Sequence, residues 1–474
     1  MATDTDRPGD DLPVPSNAAQ PKVLTKQSDD SGTAPEVVEV NSGAESHDEK
    51  SRFSALWGIL HKLVGVKDFV SLRLSLPAEL LDPIPNLEHW NYMDRPDYFA
   101  RISDPEDPVD RLLAVAAWWF TRDLKYIDQK IKKPYNSVLG EQFHCHWVVD
   151  PTNSGNAGGQ PDLSDDPRPT SRSSADPSGS DTAVGGMCDG NDSSDATTDG
   201  GLRVEYITEQ ISHHPPVSAY YYGCPAKGIT ATGMDHICAR FTGTTVKVDP
   251  GERGKRMYLC LGQRDNEEYV LTHPAGHVAG FLRGHLTVHM TDYTTIVCSK
   301  TGLALETHYK DERWFGKAKH AIEGKIYRYD PKDPKQDSLH THPVVVPKDR
   351  IVATLEGSWR GQVFVRRSNA PKGQQPELLL DLSKLQALPK KVKPLDQQKP
   401  VESHRIWKDV TENILNNRFA QATKAKRAIE EQQRHKTAER KKLGVEFTPE
   451  LFDIDPARPE RPVLKQSLSP STSE

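Results

Sequence analysis

Three groups of residues have the types and spacing to grip an anion. Residues 209–216 read Glu-Gln-Ile-Ser-His-His-Pro-Pro. Proline fixes its own φ and pushes the residue before it towards extended backbone. His213 and His214 are therefore predicted at a rigid strand end, with Pro215 and Pro216 closing the ladder. Neighbouring side chains of an extended segment face opposite ways, which argues against one shared metal and for two imidazole donors presented to an anion. The second group is Lys132-Lys-Pro-Tyr-Asn-Ser-Val-Leu-Gly-Glu141. Lys133 stands before a proline, while Asn136 and Gly140 are turn formers whose amides can point at an anion. The third is Lys426, Glu430 and Arg434, whose spacing of four puts them along one helix face. Arginine offers a permanently charged planar fork for a phosphate and lysine a point charge. Alone, each group also fits a blander role: a surface histidine pair, a lysine beside a turn, a solvated helix stripe.

The elements that would position these groups follow from periodicity. From Pro96 to Asp128, Val109, Leu112, Leu113, Val115, Ala116, Trp119 and Phe120 recur at helical spacing. From Lys133 to about Asp381 the chain reads as many short strands, such as Arg203–Thr208, Lys255–Leu261, His285–Met290 and Gln362–Arg366. Turn residues punctuate them, for example Asp249-Pro-Gly and Ser299-Lys-Thr-Gly. That pattern favours a sandwich or a barrel, and a large antiparallel barrel can enclose an apolar cavity. Residues 402–443 are helical and strongly charged, and a proline-containing tail at 456–474 reads as flexible. Near the start, Phe53, Leu56, Trp57 and Leu60 share one stripe of a short amphipathic helix.

Only 35% of the 474 residues are hydrophobic, low enough to predict disordered segments. Two account for it: an acidic tail over residues 1–50 and a Gly/Ser/Asp tract at 150–200, which is predicted to leave the fold as a surface loop. The tail holds 4 basic and 11 acidic residues and the tract 2 and 10. The whole chain is −6, so the remaining body carries +9, suited to anionic ligands or anionic membrane surfaces. Basic patches interleaved with aromatics are missing, which argues against nucleic acid. The first residues lack a basic, then apolar, leader, and no stretch reaches the ~18 apolar residues of a membrane span. Six cysteines without a Cys-x-x-Cys spacing fit a reduced, cytosolic setting. His144-Cys-His146 and His340-Thr-His342 could each face one way on a strand, but neither has an identifiable third metal ligand.

The His-His-Pro-Pro motif resembles the fingerprint of the oxysterol-binding protein family, lipid-transfer proteins that carry sterols and phosphoinositides. Lys132–Glu141 closely matches that family's Lys-Pro-x-Asn-Pro-x-x-Gly-Glu segment, with Ser137 where proline is usual. Leu74-Ser-Leu-Pro77, Ser299-Lys-Thr-Gly302, Gly357-Ser-Trp359, Glu402–Trp407 and Thr448–Phe452 fall in register with further family segments. The resemblance covers roughly residues 52–455, within a lipid-binding domain at 51–455, and matches the short form without a pleckstrin-homology domain. It implies a mainly β (α+β) fold: a large, incomplete antiparallel β-barrel around a hydrophobic lipid tunnel, with an N-terminal lid at 51–73 and C-terminal helices. The lid would carry Phe53, Leu56, Trp57 and Leu60. A phosphoinositide headgroup would lie at the tunnel mouth on Lys133, Asn136, His213, His214, Lys426, Glu430 and Arg434.

The implied function is non-enzymatic: a cytosolic, membrane-peripheral monomer exchanging phosphatidylinositol 4-phosphate for a sterol, with phosphatidylserine or another phospholipid as the alternative second cargo. No cofactor and no metal are implied. The rival reading is a phosphoester hydrolase with His213 and His214 as acid and base, but it lacks a nucleophile.

Overall fold

Strict alternation builds the sheet: along Arg256–Leu261, Met257, Leu259 and Leu261 are buried and the residues between them are not. The computed structural model describes residues 38–39, 74–75, 81–127, 133–150, 201–280, 286–310, 320–336 and 342–465. The lid at 51–73 lies outside the described residues, as do residues 151–200 and nearly all of the tail at 1–50. Strand β1 (Val38–Glu39), inside that tail, pairs in parallel with β2 (Leu74–Ser75), so residues 38–39 depart from the disorder expected there. A second parallel pair joins β3 (Leu81–Pro85) and β4 (Lys133–Tyr135).

The main sheet has fourteen antiparallel strands. In chain order they begin with β5 (Gln142–Val149), β6 (Leu202–His213), β7 (Pro216–Cys224), β8 (Ile229–Phe241) and β9 (Val246–Pro250). They continue with β10 (Arg256–Leu261), β11 (Glu267–Thr272), β12 (Ala275–Ala279), β13 (Thr287–Cys298) and β14 (Leu303–Tyr309). The last four are β15 (Ala321–Arg328), β16 (Ile351–Ser358), β17 (Gln362–Arg367) and β18 (Glu377–Asp381). Nearly every strand pairs with its sequence neighbour, while β9 and β12 pair with each other beside the main path. Strands β5 and β18 are the two ends of the sheet, so the barrel is incomplete, as the resemblance implies. The outer edge of β5 is covered by bridges from Lys391 and Glu402, which protects its backbone groups.

Helices α1 (Asn86–His89), α2 (Pro96–Ala100) and α3 (Pro108–Thr121) pack on one face of this sheet. Asp107 caps α3 by accepting from the amides of Val109 and Asp110, and Pro108 occupies its first turn. The Tyr206 hydroxyl donates to the Leu87 carbonyl at 3.0 Å, and the Tyr92 amide donates to the Tyr222 hydroxyl at 2.8 Å. Arg111 of α3 forks onto Glu267 of β11 at 2.8 and 2.7 Å, both residues buried. Helices α4 (Ser403–Ile406), α5 (Lys408–Leu415) and α6 (Phe419–Leu443) follow the sheet.

The proline-containing tail is not flexible as far as Lys465, a correction to the composition reading. Strand β19 (Phe452–Ile454) pairs with β20 (Pro462–Leu464). Leu451, Phe452 and Leu464 bury themselves against Ala219, and Arg461 pairs with Glu268. Apolar residues spaced among the prolines supply a packing face that composition averages away.

Between the helices and the sheet lies the buried carboxyl of Asp235, which accepts from the Tyr92 hydroxyl. Burial pushes it up to about 7, against the pull of that hydrogen bond and of Lys125. A folded value above the unfolded one means that its stabilising contribution is present in acid and is lost as pH rises towards about 7. Asp235→Asn stays neutral throughout, so its stability relative to the wild type should climb between pH 5 and pH 8. Urea denaturation of both proteins at each pH measures this; a difference independent of pH would contradict the assignment.

Candidate headgroup site

Glu141, the last residue of the second motif, organises the site. Its Oε1 accepts from the Ser403 hydroxyl at 2.7 Å, and its Oε2 accepts from the Trp407 indole at 3.0 Å and the Val138 amide at 2.9 Å. It is fully buried. Burial pushes its carboxyl up to about 7, while the three donors pull it back. This carboxylate ties the segment after β4 to α4 and to the start of α5. Tyr135 adds a ring contact to Trp407 at 5.0 Å and a hydroxyl contact to Thr411 at 2.9 Å. Around them Leu81, Val138, Val410, Ile414 and Ala422 form a separate apolar cluster that seats α6.

Glu141→Ala would leave the buried indole and amide donors unpaired, at a cost of roughly 1–3 kcal/mol for each orphaned group. The expected loss of stability is about 3 kcal/mol or more, read from denaturant midpoints. A loss below about 1 kcal/mol would remove Glu141 from this organising role.

On this frame, four of the seven expected headgroup residues come together. Lys133 Nζ donates to Asn136 Oδ1 at 2.6 Å, and Lys426 Nζ donates to Glu430 Oε1 at 2.7 Å. Lys133 is exposed to solvent. Desolvation by the protein around it, and next the charge of Lys426, lower its ammonium to about 8, with Glu430 opposing. Lys426 is itself buried. Arg434, two helical turns beyond Lys426, is exposed and makes no ion pair among the described residues. Ser137, standing where the family has proline, is buried and its hydroxyl has no partner among the described residues.

His213 and His214 depart from the extended strand end read from the sequence. Residues 214–215 form a two-residue hairpin turn between β6 and β7, with His213 paired to Pro216. The chain reverses at His214, so the two rings meet on one side, with centroids 4.4 Å apart and tilted by 59°. The expectation of opposite faces fails because alternation holds only along a continuous strand. The Ser212 hydroxyl donates to the Pro215 carbonyl at 2.7 Å and braces the turn.

The hairpin and the lysine motif leave the same end of the β5–β6 pair. The Gly140 amide donates to the Gln210 carbonyl at 2.9 Å, and the Gln210 amide donates to the Glu141 carbonyl at 2.8 Å. This corrects a second expectation, since the Gly140 amide is spent on Gln210 and is not offered to an anion. Glycine is required there for another reason. Its φ is +80°, and a Cβ would stand 3.3 Å from the Phe447 ring. Glu209 accepts the amides of Glu450 and Leu451 at 2.8 Å each, pinning the 448–452 segment beside the same hairpin. Sequence reasoning missed Glu141 and Glu209 as organisers. The available signal was an acidic residue placed inside each anion-seeking motif, where repulsion would be expected.

The oxysterol-binding protein family model matches residues 55–419. The chain is 39% identical to oxysterol-binding protein-like protein 1 of Schizosaccharomyces pombe, over 89% of this chain and 92% of that one. It is 30% identical to mouse oxysterol-binding protein-related protein 9 over 84% of this chain and 47% of that protein; it thus spans about half the length of this mammalian relative. Among solved structures, the Osh1 ORD domain in complex with cholesterol aligns with a TM-score of 0.58 at 19% identity, over 87% of this chain and 86% of that one. The Osh3 ORD in complex with PI(4)P from Saccharomyces cerevisiae aligns with a TM-score of 0.55 at 14% identity, covering 86% and 90%. At these identities the structural likeness speaks for the fold, and the family match speaks for descent: the chain belongs to the oxysterol-binding protein family.

Proposed function

We propose that this chain is a non-enzymatic carrier that extracts phosphatidylinositol 4-phosphate and a sterol from membranes and exchanges them through one interior site. The observation that carries this reading is the gathering of Lys133, Asn136, Lys426 and Glu430 on the Glu141 frame. It is supported by the paired imidazoles of His213 and His214 leaving the same end of the β5–β6 pair. Two lysines beside one glutamate leave a net positive charge for an anion, and imidazole donors suit a phosphate. Arg434 supplies a planar fork along the same helix face. The liganded relatives, one with cholesterol and one with PI(4)P, support both cargoes. Phosphatidylserine or another phospholipid is the alternative second cargo.

Carriage needs no covalent step. The protein shields apolar lipid surface, worth ~25 cal/mol per Å², during aqueous transit. The phosphate site gives specificity, and the basic body favours brief docking on anionic membranes from the cytosol. Among the described residues, no helix is long and apolar enough to cross a membrane.

Incubating the protein with dense liposomes containing phosphatidylinositol 4-phosphate, then sedimenting them, tests the proposal. The lipid is expected in the supernatant, bound to protein in a saturable one-to-one ratio. Protein that pellets with the liposomes and leaves no lipid in solution would instead be a membrane scaffold.

A further inference from the structure

A second set of polar groups is gathered where α3 meets the sheet, and the headgroup site does not use it. Arg122, just after α3, is 2% exposed, and its guanidinium lies over the Trp119 ring at 3.7 Å from the centroid. Its Nε donates to Asp123 at 3.2 Å, but both terminal nitrogens have no hydrogen-bond partner among the described residues. The Trp119 indole nitrogen, the Tyr220 hydroxyl and His273 Nε2 are partnerless in the same sense. These groups belong to one cluster. Trp119 meets the His273 ring at 5.1 Å, and Tyr92 meets His273 at 5.1 Å, Tyr220 at 5.6 Å and Trp119 at 6.2 Å. Burial and the charge of Arg122 keep His273 neutral.

Buried polar groups in native proteins nearly always find partners, so several orphans in one place call for a specific explanation. The set is rich in donors. The end-on edge of a guanidinium, with Nε already engaged, matches the two oxygens of a carboxylate. An indole N–H and a phenol O–H can complete its shell, and the surrounding aromatic rings suit an apolar chain. A single hydroxyl accepts fewer bonds than these donors supply. We propose that Arg122, Trp119, Tyr220 and His273 form an internal site for the carboxylate of a long-chain acidic lipid. This rests on the reading that the interior takes up lipid, and it adds a cargo class with a head unlike that of a phosphoinositide.

Oleate labelled with ¹³C at its carboxyl carbon is the probe, added to the full chain after delipidation. The bound carboxylate is expected to stay ionised at a pH where oleate free in vesicles is protonated, seen as an unchanged ¹³C shift. Arg122→Gln should weaken oleate at least about tenfold and restore the ordinary titration. Tyr220→Phe removes a partnerless hydroxyl at constant shape. The lipid-free variant should therefore melt no lower than the wild type, yet bind oleate about threefold or more weakly. Should Arg122→Gln fail to fold, Tyr220→Phe still decides. Phosphatidylinositol 4-phosphate extraction should survive in Tyr220→Phe; its absence already in the wild type would count against the carrier reading, with oleate binding judged separately. Oleate that does not bind, or binds equally to the wild type and Tyr220→Phe, overturns the site. Cholesterol binding that drops in both variants while oleate binding does not would assign the donors to a neutral hydroxyl and overturn the carboxylate.

Discussion

Replacing both His213 and His214 with alanine is expected to abolish extraction of phosphatidylinositol 4-phosphate while leaving the fold and sterol binding in place. The two rings lie 4.4 Å apart on a hairpin braced by Ser212, so neither must be reoriented to meet a phosphate. Charge-assisted hydrogen bonds contribute ~1.5–3 kcal/mol each, and losing two amounts to a hundredfold or more in affinity. The hairpin itself is held by β6–β7 pairing and the Ser212 brace, neither of which uses an imidazole. The melting midpoint should therefore stay within a few degrees. Unchanged extraction by the double variant would remove these histidines from the site.

Charge reversal along α6 should separate its residues sharply. Arg434→Glu is the cleaner probe, because Arg434 is exposed and makes no ion pair among the described residues. It should fold normally and lose at least about tenfold in phosphoinositide extraction, the effect of turning a fork that binds phosphate into a like charge. Lys426→Glu should lose more, and stability with it. Lys426 is buried and bonded to Glu430 at 2.7 Å, so reversal sets two carboxylates against each other. The same reversal at Lys424 or Arg440 should change extraction little, since these residues are off the stripe. Four equal results would make the stripe an ordinary solvated helix face.

The parts of the architecture that were legible in the sequence are those written in local spacing. Alternation announced β6 and β10, the apolar period announced α3, and the interval of four placed Lys426 against Glu430. What local spacing cannot carry is partnership at long range. Glu141 looks like the polar end of a turn until Ser403, 262 residues later, donates to it. The His213–His214 geometry failed for a related reason. A proline pair suggests the end of a strand, whereas the next strand begins at once and folds the rings together. Likewise the order of residues 456–465 depends on Leu464 finding Ala219 and Arg461 finding Glu268, contacts that composition does not encode. The Arg122 cluster was hidden because its four members come from three separate stretches of chain, none with a motif of its own.

The central claim, that this chain lifts an intact phosphoinositide out of a membrane, is tested most directly with phosphatidylinositol 4-phosphate radiolabelled in its 4-phosphate. Wild-type protein is mixed with labelled liposomes, the liposomes are sedimented, and the supernatant is extracted with organic solvent. Soluble label is expected to saturate at one lipid per chain and to partition wholly as intact lipid. Label released as inorganic phosphate would make the chain a hydrolase, and label that stays in the pellet at every protein concentration would show that it does not carry this lipid at all.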